Sequence, residues 1–302
     1  MKFGAGFPLK ALPDAAAVRD YAVALEQAGF DFTSTAGHTL GQPAGTYPDR
    51  AAAQYTGPFN DPFVTFAYLA GVTSRIRFMS AILVLPALPT GLVAKQAAEL
   101  SLISGGRFDH GVGDSWNAAE YRALGQDART RGARLEEQVP LLRRLWSEPY
   151  VTFNGRFHDF GDIGLARPVA APIPIWFGSG TDERVLRRVA RLADGWMSIG
   201  DFLPHVPRFQ QYLRDAGRDP AGFPIRGSLV AGEGGPDAWC KTARAYQAAG
   251  VTHITIGAPP TLTSEQALER VVEARAAIGG SAVPGAGPGQ DLKIAEGAEP
   301  HR

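Results

Sequence analysis

The chain has 302 residues, 45% hydrophobic and 20% charged, with 36 Gly and 23 Pro, and its 30 basic and 30 acidic side chains cancel. That balance leaves no basic excess for nucleic acid and no acidic tail. A single cysteine, Cys240, excludes an intrachain disulfide and fits a reducing cytoplasm, and no segment reaches the roughly 18 apolar residues of a membrane span or the apolar run of a signal peptide.

Taken in order, the chain alternates strand and helix signals. Lys2–Phe7 reads as a strand ended by Pro8, and Ala15–Ala28 as a helix between an Asp14 cap and Gly29. Phe30–Thr35 is the second strand, and a long polar loop, 37–60, follows it. Pro62–Thr73 is a helix and Ile76–Leu85 the third strand. Leu92, Ala97, Leu100 and Ile103 repeat at helical spacing, and Gly105-Gly106 stops that helix. Arg107–Val112 is the fourth strand, with Asp109 and His110 inside it, where burial would require a partner. Beyond Glu120 the chain is helical to Gly125, and again over Arg131–Trp146, where Pro140 should bend or break the helix.

Val151–Phe160 reads as a hairpin turning at Asn154-Gly155, an insertion in the α/β rhythm. The rhythm resumes with strands Ile173–Phe177, Gly195–Ile199, Ile225–Val230 and His253–Ile256. Their helices are Asp182–Ala193, Val206–Ala216, Asp237–Ala249 and Ser264–Ile278. Eight such units are the count of a closed (β/α)8 TIM barrel; an open doubly wound sheet uses the same alternation with fewer units. The chain is therefore read as one barrel domain over 1–279, with a disordered or loosely attached Gly/Pro/Ala-rich tail over 280–302.

Candidate chemistry gathers where strands end, which is where such barrels keep their active sites. His38 lies just past strand two and suits proton transfer near neutral pH, although most single loop histidines do nothing chemical. Asp114 follows strand four and suits substrate binding, proton transfer or holding a loop; Glu120 suits capping or pairing better than reaction. The turn Phe177–Thr181 bares backbone amides before a helix. That arrangement binds a phosphate, or is an ordinary glycine turn. Arg131, Arg134, Glu136 and Glu137 read as ion pairs on a helix surface. No spacing of His, Cys, Asp or Glu suggests a metal site.

At these residues the sequence resembles the bacterial luciferase-like superfamily, and within it the coenzyme F420-dependent oxidoreductases. The resemblance runs through the His38 loop, TSRIRFMSAILVLP (73–86), AKQAAELSLISGGRFDHGVGDSWNAAEYRALG (94–125), RGARLEE (131–137), VTFNGRFHDF (151–160), PIPIWFGSG (172–180) and LRRVARLADGW (186–196). It covers about the first 200 residues; the remainder matches only in barrel rhythm. The resemblance implies a deazaflavin or flavin over the C-terminal strand ends. It implies a bulge or cis peptide at Ala81 and Ile82 behind the ring, and coenzyme phosphate on Gly178, Ser179, Gly180 and Thr181. It further implies a coenzyme contact at Asn117, a histidine near the reacting carbon at His38, and an acidic catalytic group at Asp114, the partner expected for His38.

Two departures stand out. Gly37 replaces the Asp that relatives place before the histidine, and Ala87-Leu88-Pro89 replaces an Arg-x-Pro. The activity the resemblance implies is hydride transfer between coenzyme F420 and a small organic substrate. An FMN monooxygenase on the same fold and a non-catalytic flavin-binding relative are the alternatives. Relatives often form homodimers through barrel helices, and apolar faces near Leu100 or Leu141 suit either that or the barrel's own packing.

Overall fold

A computed structural model describes residues 1–8, 12, 14–43, 59–232 and 234–279. The expected tail at 280–302, and 44–58 of the long loop, lie outside the described residues. Eight parallel strands close into a barrel: β1 (Lys2–Gly6), β2 (Phe32–Gly37), β3 (Arg77–Val84), β4 (Phe108–Gly113), β7 (Ile175–Ser179), β8 (Gly195–Ser198), β9 (Ile225–Val230) and β10 (His253–Gly257), with β1 pairing β10 to shut the ring. Helices α1 (Ala15–Gln27), α2 (Pro62–Ala70), α3 (Thr90–Ile103), α4 (Ala118–Ala123), α5 (Arg131–Ser147), α6 (Glu183–Leu192), α7 (Val206–Asp215), α8 (Gly235–Ala248) and α9 (Ser264–Gly279) alternate with the strands. The expected hairpin forms outside the barrel as β5 (Val151–Asn154) and β6 (Asp159–Ile163).

Alternation along each strand divides the side chains between two cores. Phe78, Phe108, Ile175, Phe177, Ile225, Leu229, Ile254 and Ile256 pack in the large cluster beneath the helices. Their neighbours Phe32, Met79, Trp176 and Met197 form a separate cluster inside the barrel. A narrow eight-stranded interior has room for few large groups. Glycines face them: a Cβ on Gly195 would stand 2.3 Å from the Trp176 ring, and one on Gly4 2.2 Å from Phe32.

Asp109 and His110 go to opposite sides of β4. Asp109 turns inward and takes a bidentate bond from Arg77, 2.8 Å from both Nε and one terminal nitrogen. His110 turns outward among Phe63, Phe108 and Trp146. It is fully buried and neither ring nitrogen has a hydrogen-bond partner, so the requirement for a partner fails there. The imidazole meets that burial by staying neutral: desolvation pulls its pKa down to about 3.

Three other expectations are corrected. Helix α5 continues through Pro140 with Val139, Leu141 and Leu142 fully packed on either side, so burial of its apolar stripe outweighs the missing amide. The hairpin turns over 155–158 rather than at Asn154-Gly155, because Glu137 holds that stretch. Its carboxylate accepts from the Arg156 and Phe157 amides (2.7 and 2.9 Å) and bonds His158 Nδ1 at 2.7 Å. Glu136 and Glu137 therefore pair with other elements, Arg188 and Arg191 of α6 and His158 of the hairpin, instead of with Arg131 or Arg134 along the helix. Leu100 and Leu141 themselves are buried in the barrel's own layer, while Leu92, Leu102 and Ile103 on the same helix as Leu100 are exposed.

The His110 burial has a sign. Only the unfolded chain takes up its proton between about 6.5 and about 3, so stability is complete above that window and falls as pH drops through it. The loss attributable to His110 is about 3 kcal/mol near pH 4. In His110→Leu, the drop in urea midpoint between neutral and mildly acidic buffer should shrink accordingly; an unchanged drop would show that His110 is not its source.

Candidate active site

His38 follows directly on β2, and its Nδ1 lies 2.7 Å from Oε2 of Glu120. The other carboxylate oxygen accepts from the amides of Thr39 (2.7 Å) and Leu40 (3.3 Å). Glu120 is the third residue of α4, within its first turn, and is buried. Asn117 caps that helix, its Oδ1 accepting from Ala119 and Glu120 amides at 3.1 and 3.3 Å. Burial opposes ionisation of Glu120, but the bond and charge of His38 with the two loop amides outweigh it and hold the carboxyl below the ordinary range. An ionised carboxylate only accepts, so Nδ1 is the nitrogen that donates within this pair. The ring also lies 5.1 Å from that of Phe59. A cavity of about 220 Å3 opens beside it, walled by Phe63, Leu83, Leu88, Leu92 and Val93.

Asp114 is not the partner of His38. Past Gly113 the backbone turns through Ser115 (φ 44°) and Asp114 faces Arg188 of α6, 3.1 Å away. Arg188 also donates to Glu136 at 2.9 Å, so one guanidinium ties the end of β4 to α5. Both Glu120 and Arg188 lay in quoted motifs; sequence spacing carried no signal that either would meet residues 82 and 74 positions away.

On β3 the Ala81–Ile82 peptide bond is cis, and the register with β2 and β4 shifts around it. Both side chains are half-buried in mid-strand. Ile82 leans on two glycines: a Cβ on Gly178 would stand 2.4 Å from its Cγ2, and one on Gly113 2.9 Å from its Cδ1.

The Gly178–Thr181 turn is narrower as a binding element than its sequence suggests. The Ser179 hydroxyl accepts from Trp196 Nε1 at 3.0 Å and the residue is buried. Asp182 caps α6, taking the amides of Arg184 and Val185 at 3.0 and 3.2 Å. Gly180 is exposed, and a Cβ there would meet nothing within 4 Å. Gly180 and Thr181 are the less enclosed part of the turn, and Ser179 keeps its hydroxyl proton to donate. Asn117 is likewise a cap: it is buried and its oxygen is committed to α4. Among the described residues no cluster of His, Cys, Asp or Glu could hold a metal ion.

Residues 2–286 match the luciferase-like monooxygenase family, and the chain belongs to it. It is 41% identical over 143 residues to an uncharacterized protein of Mycobacterium tuberculosis, covering 47% of this chain and 49% of that one. An FMNH(2)-dependent dimethylsulfone monooxygenase of Pseudomonas fluorescens is 30% identical over 189 residues, covering 61% of this chain and 48% of that one. The chain thus spans about half the length of the curated relatives it matches. Among solved structures, an F420-dependent secondary alcohol dehydrogenase superposes with a TM-score of 0.73 at 16% identity, over 92% of this chain and 98% of that one. No helix among the described residues is long and apolar enough to cross a membrane.

Glu120→Gln keeps the shape and removes the charge. It should cost about 1–3 kcal/mol at neutral pH in denaturant unfolding. Since the folded carboxyl titrates below the ordinary range, the gap between variant and parent should close as pH falls through that lowered value. A gap that persists in acid would mean the interaction is not ionic.

Proposed function

We propose that this chain is a two-electron oxidoreductase that uses coenzyme F420 and a small organic substrate. The His38–Glu120 pair at the barrel mouth carries this reading, because oxidising an alcohol-like carbon requires a base for the departing proton. The residues fit a planar ring with a phosphate tail. Ala81 and Ile82 are half-buried in mid-strand, glycines border Ile82, and the Gly180 position is open. The ring would lie on Ala81 and Ile82, and the Gly180 and Thr181 amides would hold phosphate. Bound there, the deazaflavin accepts or supplies hydride. His38 moves the accompanying proton at Nε2, and Glu120 holds the imidazole in position. Arg188 holds Asp114 as a fixed element of the rim, apart from the reacting groups. The barrel wall excludes water from the reacting face and holds the two reactants together.

An FMN-dependent monooxygenase is the second reading, favoured by the 30% identity to an FMNH(2)-dependent monooxygenase. Spectral titration separates them. On our reading, oxidised or reduced coenzyme F420 binds at micromolar concentration, and reduced FMN drives no oxygen uptake. His38→Ala should lower kcat by roughly 10²–10⁴-fold and leave coenzyme affinity nearly intact. Absence of F420 binding with FMN-dependent oxygen uptake would establish the alternative; turnover unchanged by His38→Ala would remove His38 from the reaction.

A further inference from the structure

Two arginines point into the barrel, and they are treated differently. Arg77 is neutralised by the bidentate bond from Asp109. Arg226 is not. It sits on β9 beside Met197 of β8 and His253 of β10. Its neighbours Ile225 and Leu229 pack outward under the helices, so Arg226 and Ser228 alternate inward. The guanidinium donates from Nε to the Thr255 hydroxyl and from a terminal nitrogen to the Ser228 hydroxyl at 3.5 Å. No carboxylate among the described residues forms an ion pair with it. Two neutral hydroxyls leave most of its five N–H donors unclaimed.

A half-buried cation facing only neutral hydroxyls keeps N–H donors that an anion can claim. Burial pulls its pKa down only to about 10, so it stays charged at neutral pH. His253 next to it offers no compensation: desolvation, then the charges of Lys2 and Arg226, bring its pKa down to about 4 and keep it neutral. Among the described residues, the space above Arg226 is open toward the mouth. Ser228 and Val230 are exposed, and a Cβ on Gly6 of β1, on the far side of β10, would meet nothing within 4 Å. In the ring of strands, β9 stands four places from β3 in either direction. Arg226 therefore occupies the wall opposite Ala81 and Ile82.

We propose that Arg226, steadied by Ser228 and Thr255, is an anion-binding subsite that takes a carboxylate or sulfonate group of the substrate. The substrate is then a small organic anion, held by its charged end against β9 while its reacting carbon meets the face of a ring lying on β3. The position of the ring rests on the reading given under Proposed function; the subsite itself does not.

Binding to the full chain is measured with sodium acetate and sodium methanesulfonate, against acetamide and dimethyl sulfone as neutral counterparts, at constant ionic strength. Melting temperature and tryptophan fluorescence are the readouts, since Trp176 lies inside the barrel. The two anions should give saturable responses and the neutral compounds none. Arg226→Gln should weaken anion binding by roughly tenfold or more, and Arg226→Lys should restore part of it, a point charge without the planar fork. Ser228→Ala, which leaves the cation in place, should weaken it by a smaller factor and serves if Arg226→Gln does not fold. No saturable response of the parent chain up to tens of millimolar, an equal response in Arg226→Gln, or, should that variant not fold, an unchanged response in Ser228→Ala, overturns the subsite. Coenzyme titrations on the same proteins keep the two readings apart. Anion binding without F420 binding sinks the coenzyme and leaves the subsite standing; F420 binding without an Arg226-dependent anion response does the reverse.

Discussion

The interior of a barrel of eight strands is too narrow for side chains of equal size, and this molecule meets that limit by setting glycine against bulk. Trp176 lies where Gly195 has no side chain, Phe32 where Gly4 has none, and Ile82 against Gly178. Each pairing lets one large group cross the lumen without splaying the neighbouring strand. The lower lumen is filled this way by Phe32, Met79, Trp176 and Met197, and the upper part is left open. The two half-buried side chains at Ala81 and Ile82 mark the change from packed floor to open mouth.

Around that mouth, charge is arranged by elements far apart in the chain. Glu120 gathers His38 and the two amides that follow it, so the loop after β2 is held by α4. Arg188 gathers Asp114 and Glu136, so the loop after β4 is held by α5 and α6. The residue before His38 is Gly37, which has no side chain to give, and the carboxylate on the imidazole comes from Glu120, 82 positions away. On the far wall Arg226 keeps its charge without an acid of its own among the described residues, in contrast with Arg77, which Asp109 neutralises.

Much of this was legible beforehand. Period and punctuation placed the eight strands, the helices and the hairpin insertion, because alternation of apolar residues and glycine caps are local signals. His38 and the β3 peptide at Ala81 and Ile82 were marked by resemblance to a family, and the residues flanking them do meet at one end of the barrel. What went astray were statements about which side chain meets which. Asp114 meets Arg188 instead of His38, Ser179 and Asn117 each commit an oxygen inside the chain, and α5 runs unbroken past Pro140, where a bend or break was expected. In each case the competing claim came from a distant residue or a buried face: Arg188, Trp196, the helix cap at Ala119 and Glu120, and the packed stripe of α5.

The amino-acid order by itself determined the barrel, since each strand and helix announces its own period within a few residues. The tertiary structure alone decided that Glu120 rather than Asp114 holds His38, that Asp109 is paired while His110 is not, and that Arg226 carries an unneutralised charge. The physical reason is that hydrogen bonds and ion pairs depend on distances across the ring, and closure brings together positions 82, 74 and 32 residues apart that no local pattern connects.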